Sequence, residues 1–184
     1  MARNILPITD AYLQSSLDLV YESFSDWRDD TEGKMVCRLV KEIRSKKYYL
    51  PELEIICTDD NGAIIGYCMF SRFHLNEKFE DELLMLTPVC VKPEFQRQHI
   101  SRDMIEFGFA RAREMGFKAC IVEGNPANYR NRGFVTAAEH GILPGKTVHL
   151  PRIECLMATE LIPGAFTTIQ GEVEYDFYEC LNEE

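Results

Sequence analysis

Three features of this chain predict a mixed α/β fold formed by residues 1–184 as a single domain. The segment ELEIICT–DDNG–AIIGYCMFSRF reads as two apolar strands joined by a tight Asp/Asn/Gly turn, a hairpin signal in which patterning and turn chemistry agree. The segment Leu83–Glu123 reads as strand, Lys92-Pro93 turn, long helix and strand. The first 46 residues carry two helices with one apolar stripe each, and such helices need a larger apolar surface to bury against. At 184 residues, with 46% hydrophobic and 27% charged residues, the chain can bury one sizeable core and is too apolar to be disordered.

In order, Asn4–Ile8 is a short opening strand. Thr9 or Asp10 is placed to cap a helix whose apolar positions Leu13, Leu17, Val20, Tyr21 and Phe24 repeat at three and four. The polar run SDWRDDTEG stops it. A second helix through Met35–Lys46 puts Val36, Leu39, Val40 and Ile43 on one side. The hairpin follows, and then Leu83–Val91 as a third strand ending at Lys92-Pro93. A long helix starts near His99, carries Ile100, Met104, Phe107 and Gly108, and ends at Met115-Gly116. Phe117–Glu123 is the next strand, and Pro126–Arg132 a short helix stopped by Gly133. IECLMATEL and TTIQGEVEYDFY supply closing strands on either side of Pro163-Gly164.

Thirty acidic against twenty basic residues give a formal charge of −10. Such a surface favours solubility and repels nucleic acid and anionic membranes. The start MARNILPITDAYLQ lacks the apolar run of a signal peptide, and no apolar stretch approaches the length of a membrane span, so the expectation is a soluble cytoplasmic protein. The seven cysteines form no close pair and sit mostly in apolar runs, which reads as buried free thiols; for a Cys–His nucleophilic pair, whose members need meet only in space, Cys90 is the first candidate. Histidines 74, 99, 140 and 149 have no ligand spacing, so no metal site is expected.

Two segments carry chemistry. In PVCVKPEFQRQHISRDMIEFGFARAREMG, the backbone N–H groups of a turn and of a helix start converge, a natural anion site. Lys92, Arg97, His99 and Arg102 put positive charge there in an otherwise acidic protein. In EGNPANYRNRGF, Asn125 and Pro126 suit a helix start, and Tyr129 offers a neutral hydroxyl able to donate a proton to a leaving thiolate.

LTPVCVKPEFQRQHIS followed at suitable spacing by EGNPANYRNRGF resembles the two signatures of the GCN5-related N-acetyltransferase superfamily, in its compact bacterial subfamily. The opening hairpin and the closing strands extend the resemblance over nearly the whole chain. The implied fold has a central strand pair splayed around the cofactor. The implied activity is transfer of an acetyl group from acetyl-coenzyme A to a primary amine of a small molecule or peptide, by direct attack. Coenzyme A would be held by Val89, Cys90 and Val91, by the turn Gln96, Arg97, Gln98, His99, Ile100, Ser101 and Arg102, and by Asn125 and Asn128. Tyr129 would protonate the sulfur, and a backbone N–H near Cys90 would polarise the carbonyl. Glu82 is the favoured base, ahead of Asp81 and Glu123; His74 and His140 have a suitable intrinsic pKa without motif support. The resemblance also admits a homodimer, and Trp27 with the acidic run Asp26–Glu32 is expected to border the acceptor. The chain departs from the family pattern where it has His99 and Ser101 in place of glycine or alanine, Asn128 in place of a tyrosine, and Arg132 in place of an aromatic residue. His99 either crowds the phosphates or hydrogen-bonds them. The alternative function is a catalytically weak acyl-coenzyme A-binding or regulatory module.

Overall fold

The computed structural model describes residues 3–25 and 30–182. The expectation for Trp27 and the start of its acidic run therefore lies outside the described residues. The strands are β1 (Asn4–Pro7), β2 (Glu54–Thr58), β3 (Ile64–Leu75), β4 (Lys78–Val91), β5 (Ala119–Glu123), β6 (Val135–Thr136), β7 (Ile142–Pro144), β8 (Leu156–Glu160) and β9 (Gly171–Val173). The helices are α1 (Leu13–Phe24), α2 (Thr31–Ser45), α3 (Ile100–Glu114) and α4 (Pro126–Tyr129). Seven strands form one sheet in the order β1-β2-β3-β4-β5-β8-β6, with β7 and β9 paired separately. Within the large sheet every pairing is antiparallel except β4 with β5.

Both faces of the sheet are covered, which is why its central strands read as continuous apolar runs rather than alternating ones. On one face Val20, Val40 and Ile43 of α1 and α2 pack with Tyr67, Phe73, Met85 and the C-terminal Tyr178. On the other, Ile105 and Phe109 of α3 pack with Ile55, Phe70, Leu84 and Leu86. Successive residues of β4 thus serve opposite cores. Gly108 lets α3 approach closely, since a Cβ there would stand 2.3 Å from the Phe70 ring.

A buried carboxylate ties the first face together. Glu54 on β2 has no exposed surface and accepts from Arg44 of α2, from the Tyr49 hydroxyl at 2.6 Å and from the Tyr67 hydroxyl at 2.6 Å. Four donors from three parts of the chain satisfy a charge that would otherwise be costly to bury.

Several expectations need correction. Thr9 does not cap α1 with its side chain; a 3-10 turn over Asp10–Tyr12 comes first, and the helix opens at Leu13. α2 begins at Thr31, earlier than its apolar stripe. β3 and β4 run on to a two-residue turn, Asn76-Glu77, both with left-handed φ (50° and 61°), as a primed hairpin turn requires. The charged sequence HLNEKFEDE hides this because its residues lie largely beyond the two cores. The tail beyond Val173 is irregular, ending in a 3-10 turn over Glu179–Leu181, rather than a long strand.

Candidate active site

β4 and β5 pair only over Leu83–Met85 and Ala119–Ile121. Beyond Met85 the register of β4 against β3 shifts between the Phe70↔Leu86 and Cys68↔Val89 pairs, so Thr87 and Pro88 face the single residue Met69. Pro88 has no N–H to offer, and a bulge bends the strand that carries it. The parallel pair opens at this point. A cleft of about 640 Å³ lies there, lined by Val89, Cys90 and Val91 of β4, by the turn and first residues of α3, and by Asn128, Tyr129 and Arg132.

The turn is built for anions. Arg97 (φ 59°) and His99 (φ 64°) adopt the left-handed backbone that glycine normally supplies. Among the described residues, the N–H groups of positions 97–102 find no acceptor, the first helical bond being Asp103 N–H to the His99 carbonyl at 3.0 Å. These six donors and the helix dipole fit a phosphate-bearing ligand. Arg3 braces the turn from outside, donating to the Gln98 carbonyl at 2.7 Å and pairing with Asp103.

Tyr129 stands on the opposite wall. Its ring packs on Gly124, where a Cβ would come within 2.8 Å of it, and meets Phe134 edge-on at 5.6 Å. Its hydroxyl makes no hydrogen bond among the described residues, and burial pushes its pKa up to about 12, with Arg132 pulling the other way. The Arg132 guanidinium lies 5.7 Å from the centre of that ring and donates to Ser101 Oγ at 2.8 Å, while its buried Nε has no partner. Arg132 therefore links the turn to Tyr129.

Of the residues expected at the ligand, Val89, Cys90, Val91, Gln96, Arg97, His99, Ile100, Ser101, Asn128 and Tyr129 line the cleft. Gln98, Arg102 and Asn125 do not. Gln98 turns its side chain to the Glu94 carbonyl, Arg102 pairs with Asp103 and Glu106 along the side of α3, and the Asn125 side-chain Oδ1 caps α4 by accepting from Ala127 N–H at 3.0 Å. Burial pushes the Cys90 thiol up to about 12, which leaves it neutral and a poor nucleophile near pH 7. All seven cysteines are free and six are buried.

Glu82 needs a larger correction. It sits within β4 rather than before it, is bonded to Lys118 at 2.5 Å, and stands roughly 20 Å of strand from Val89. Asp81 is paired with Arg72 nearby. His74 is enclosed by Tyr48, Phe73 and Phe177, and His140 packs on Phe166. Glu123, at the end of β5, is the one carboxylate of the three beside the opening, and its Oε2 accepts from the Tyr175 hydroxyl at 2.9 Å. Ser23 and Phe24 at the end of α1, together with Phe95 and Ile105, line the cleft without any local sign in the sequence. Arg132 was visible only as a departure from the family pattern. No group of three or more histidine, cysteine or acidic side chains gathers as a metal site among the described residues. Nor is any helix there long and apolar enough to cross a membrane.

A sheet opened at one parallel strand pair, with an N–H-rich helix start on one wall and an unpaired phenol on the other, is the architecture of an acyltransferase. The Acetyltransferase (GNAT) family model matches residues 17–139, and the chain belongs to that family. It is similar to the uncharacterized N-acetyltransferase YhbS of Escherichia coli K12, with 29% identity over 150 residues, 80% of this chain and 85% of that one. It shares its fold with the structure of E. coli YhbS in complex with CoA (TM-score 0.84, 24% identity, 98% of this chain and 92% of that one). It also shares it with a GNAT family acetyltransferase from Brucella melitensis in complex with acetyl-CoA (TM-score 0.71, 21% identity, 95% and 96% covered).

Proposed function

We propose that the protein transfers an acetyl group from acetyl-coenzyme A to a primary amine by direct attack, with Tyr129 as the donor to the departing sulfur. The observation that carries this reading is the meeting, in one cleft, of Arg97, His99, Ile100 and Ser101, whose N–H groups find no acceptor among the described residues, with the Tyr129 hydroxyl, which has no partner there either. Coenzyme A in one related structure and acetyl-coenzyme A in the other support the choice of ligand. Bound there, acetyl-coenzyme A would supply a reactive thioester and a phosphate-rich handle.

The roles of the chain's own groups follow from their chemistry. The turn at 97–102 and Arg132 bind the phosphates through N–H donors and charge. The walls Val89, Val91 and Ile105 exclude water and align the thioester, and alignment is a large part of catalysis when the reactants are already reactive. Tyr129 keeps its proton at neutral pH because burial disfavours the phenolate. Full transfer from a phenol of pKa about 12 to a thiolate of pKa about 8.5 is uphill by roughly 5 kcal/mol. Tyr129 therefore acts first as a hydrogen-bond donor to the developing thiolate, and Arg132 eases the proton's departure by stabilising negative charge on the ring.

Enzyme-dependent release of free thiol from acetyl-coenzyme A, across a panel of primary amines, tests the reading. Tyr129→Phe is expected to lower kcat by about 10²–10⁴-fold with coenzyme A affinity nearly unchanged. An unchanged kcat would remove Tyr129 from the mechanism. Tight coenzyme A binding with no transfer to any amine would favour the binding-module alternative.

A further inference from the structure

A second cavity, of about 170 Å³, opens on the α1/α2 face of the sheet at the same parting of β4 and β5. Met85 and Thr87 of β4, Leu39 of α2 and Tyr175, Tyr178 and Leu181 of the tail line it, with the exposed Glu123 of β5 at its edge. Glu123 and Gly124 are consecutive, and the Tyr129 ring packs on Gly124 from the α3 side. Tyr175 packs into the opposite core and holds Glu123 Oε2. The end of β5 thus separates a proton donor on one face of the sheet from a carboxylate on the other.

Resting on the acetyl-transfer reading above, we propose that this second cavity is the acceptor site, that its substrate is a compact apolar primary amine, alkyl or aralkyl, carrying no acidic group, and that Glu123 binds its ammonium and takes its proton. Among the described residues Glu123 is the only charged one lining the cavity, and one of its oxygens has no partner there. A cation is attracted there, whereas a carboxylate on the acceptor would meet only negative charge and phenol. The rest of the lining is apolar or aromatic apart from the hydroxyls of Thr87, of Tyr175, which donates to Glu123, and of Tyr178, which has no partner among the described residues. A cavity of about 150 Å³ holds a benzene-sized group, so this one takes a phenyl ring or a chain of about four to six carbons. The tyrosine wall lies beyond residues 17–139, the stretch that matches the family, so this selectivity belongs to the tail of this chain.

The ammonium passes one proton to Glu123, and the freed nitrogen lone pair forms the C–N bond to the acetyl carbonyl carbon. The C–S bond breaks with its electron pair going to sulfur, which takes a proton from Tyr129. The second nitrogen proton restores Tyr129 through solvent, and Glu123 releases its proton to water, so one proton is released per amide formed.

The test compares butylamine, benzylamine and 4-aminobutyrate as acceptors for the wild type, Glu123→Gln and Leu181→Trp, with coenzyme A affinity measured in parallel by calorimetry. Butylamine and benzylamine are expected to exceed 4-aminobutyrate by at least tenfold in kcat/KM. Glu123→Gln should lower kcat/KM for both simple amines by more than tenfold, and Leu181→Trp should raise KM for benzylamine, with coenzyme A affinity held within about twofold in each variant. A preference for 4-aminobutyrate, or unaltered amine kinetics in Glu123→Gln, would overturn the proposal. If no amine is acetylated at all, the transfer reading fails separately. The cavity is then judged by benzylamine binding to the coenzyme A-saturated protein: binding lost in Glu123→Gln supports the site, and no binding to the wild type overturns it.

Discussion

Replacing Arg132 with leucine removes the cation that lies beside Tyr129 while keeping an apolar side chain of moderate bulk. The guanidinium lies 5.7 Å from the ring centre. At that separation and an effective dielectric near 20, it would stabilise a full negative charge on the ring by about 3 kcal/mol. If about half a charge develops as sulfur departs, the loss is about 1.5 kcal/mol, or roughly tenfold in kcat. The Ser101 contact at 2.8 Å goes as well, so coenzyme A affinity should fall by a further few-fold. The assay is steady-state thiol release with both substrates varied, run beside Arg132→Lys, which keeps the charge and should stay within about threefold of the wild type in kcat. An undiminished kcat in Arg132→Leu would refute the argument, because it would mean that no negative charge reaches the ring. Equal losses in the lysine and leucine variants would refute it too, since charge would then not be what matters.

Other consequences are open to measurement. The backbone at His99 already has the left-handed conformation of glycine, so His99→Gly should keep the turn and lose only the imidazole at the cleft wall; coenzyme A should bind about three- to tenfold more weakly by calorimetry, and tighter binding would mean that the side chain obstructs the phosphates. Burial raises Tyr129 to about 12, so its proton is present below that pH and lost only above it. At saturating amine kcat should therefore hold on the alkaline side, and a kcat decline beginning near pH 9 with an intact fold would contradict the assignment. Glu54→Gln leaves the buried Arg44 charge without its counterion and should cost about 3–5 kcal/mol in urea unfolding, a loss below 1 kcal/mol showing that the network is not structurally important.

Much of this arrangement was legible in the residues. The hairpin at 54–73 and the strand–turn–helix–strand unit at 83–123 showed themselves because their apolar runs, turn residues and helix ends are local signals. The helix start at Ile100 and the Asn125 cap are of the same kind. Glu82 was misplaced because the apolar run begins at Leu83, whereas the strand starts at Lys78 and its first five residues, charged apart from Phe79, are exposed or half-buried. A carboxylate thought to sit at a strand end is therefore well inside one. Arg102 was misplaced for a geometric reason: one residue after Ser101 is a rotation of about 100° around α3, which turns it from the cleft to Glu106. The tyrosine wall of the second cavity comes from residues more than fifty positions beyond Glu123, and no local pattern announces such a meeting.

The most direct test of the account is a crystal structure of the protein with coenzyme A. The pyrophosphate is expected on the N–H groups of residues 97–102 and the sulfur within hydrogen-bond reach of the Tyr129 hydroxyl, between Val89 and Glu123. A sulfur lying away from Tyr129, or a pyrophosphate bound anywhere but that turn, would contradict it.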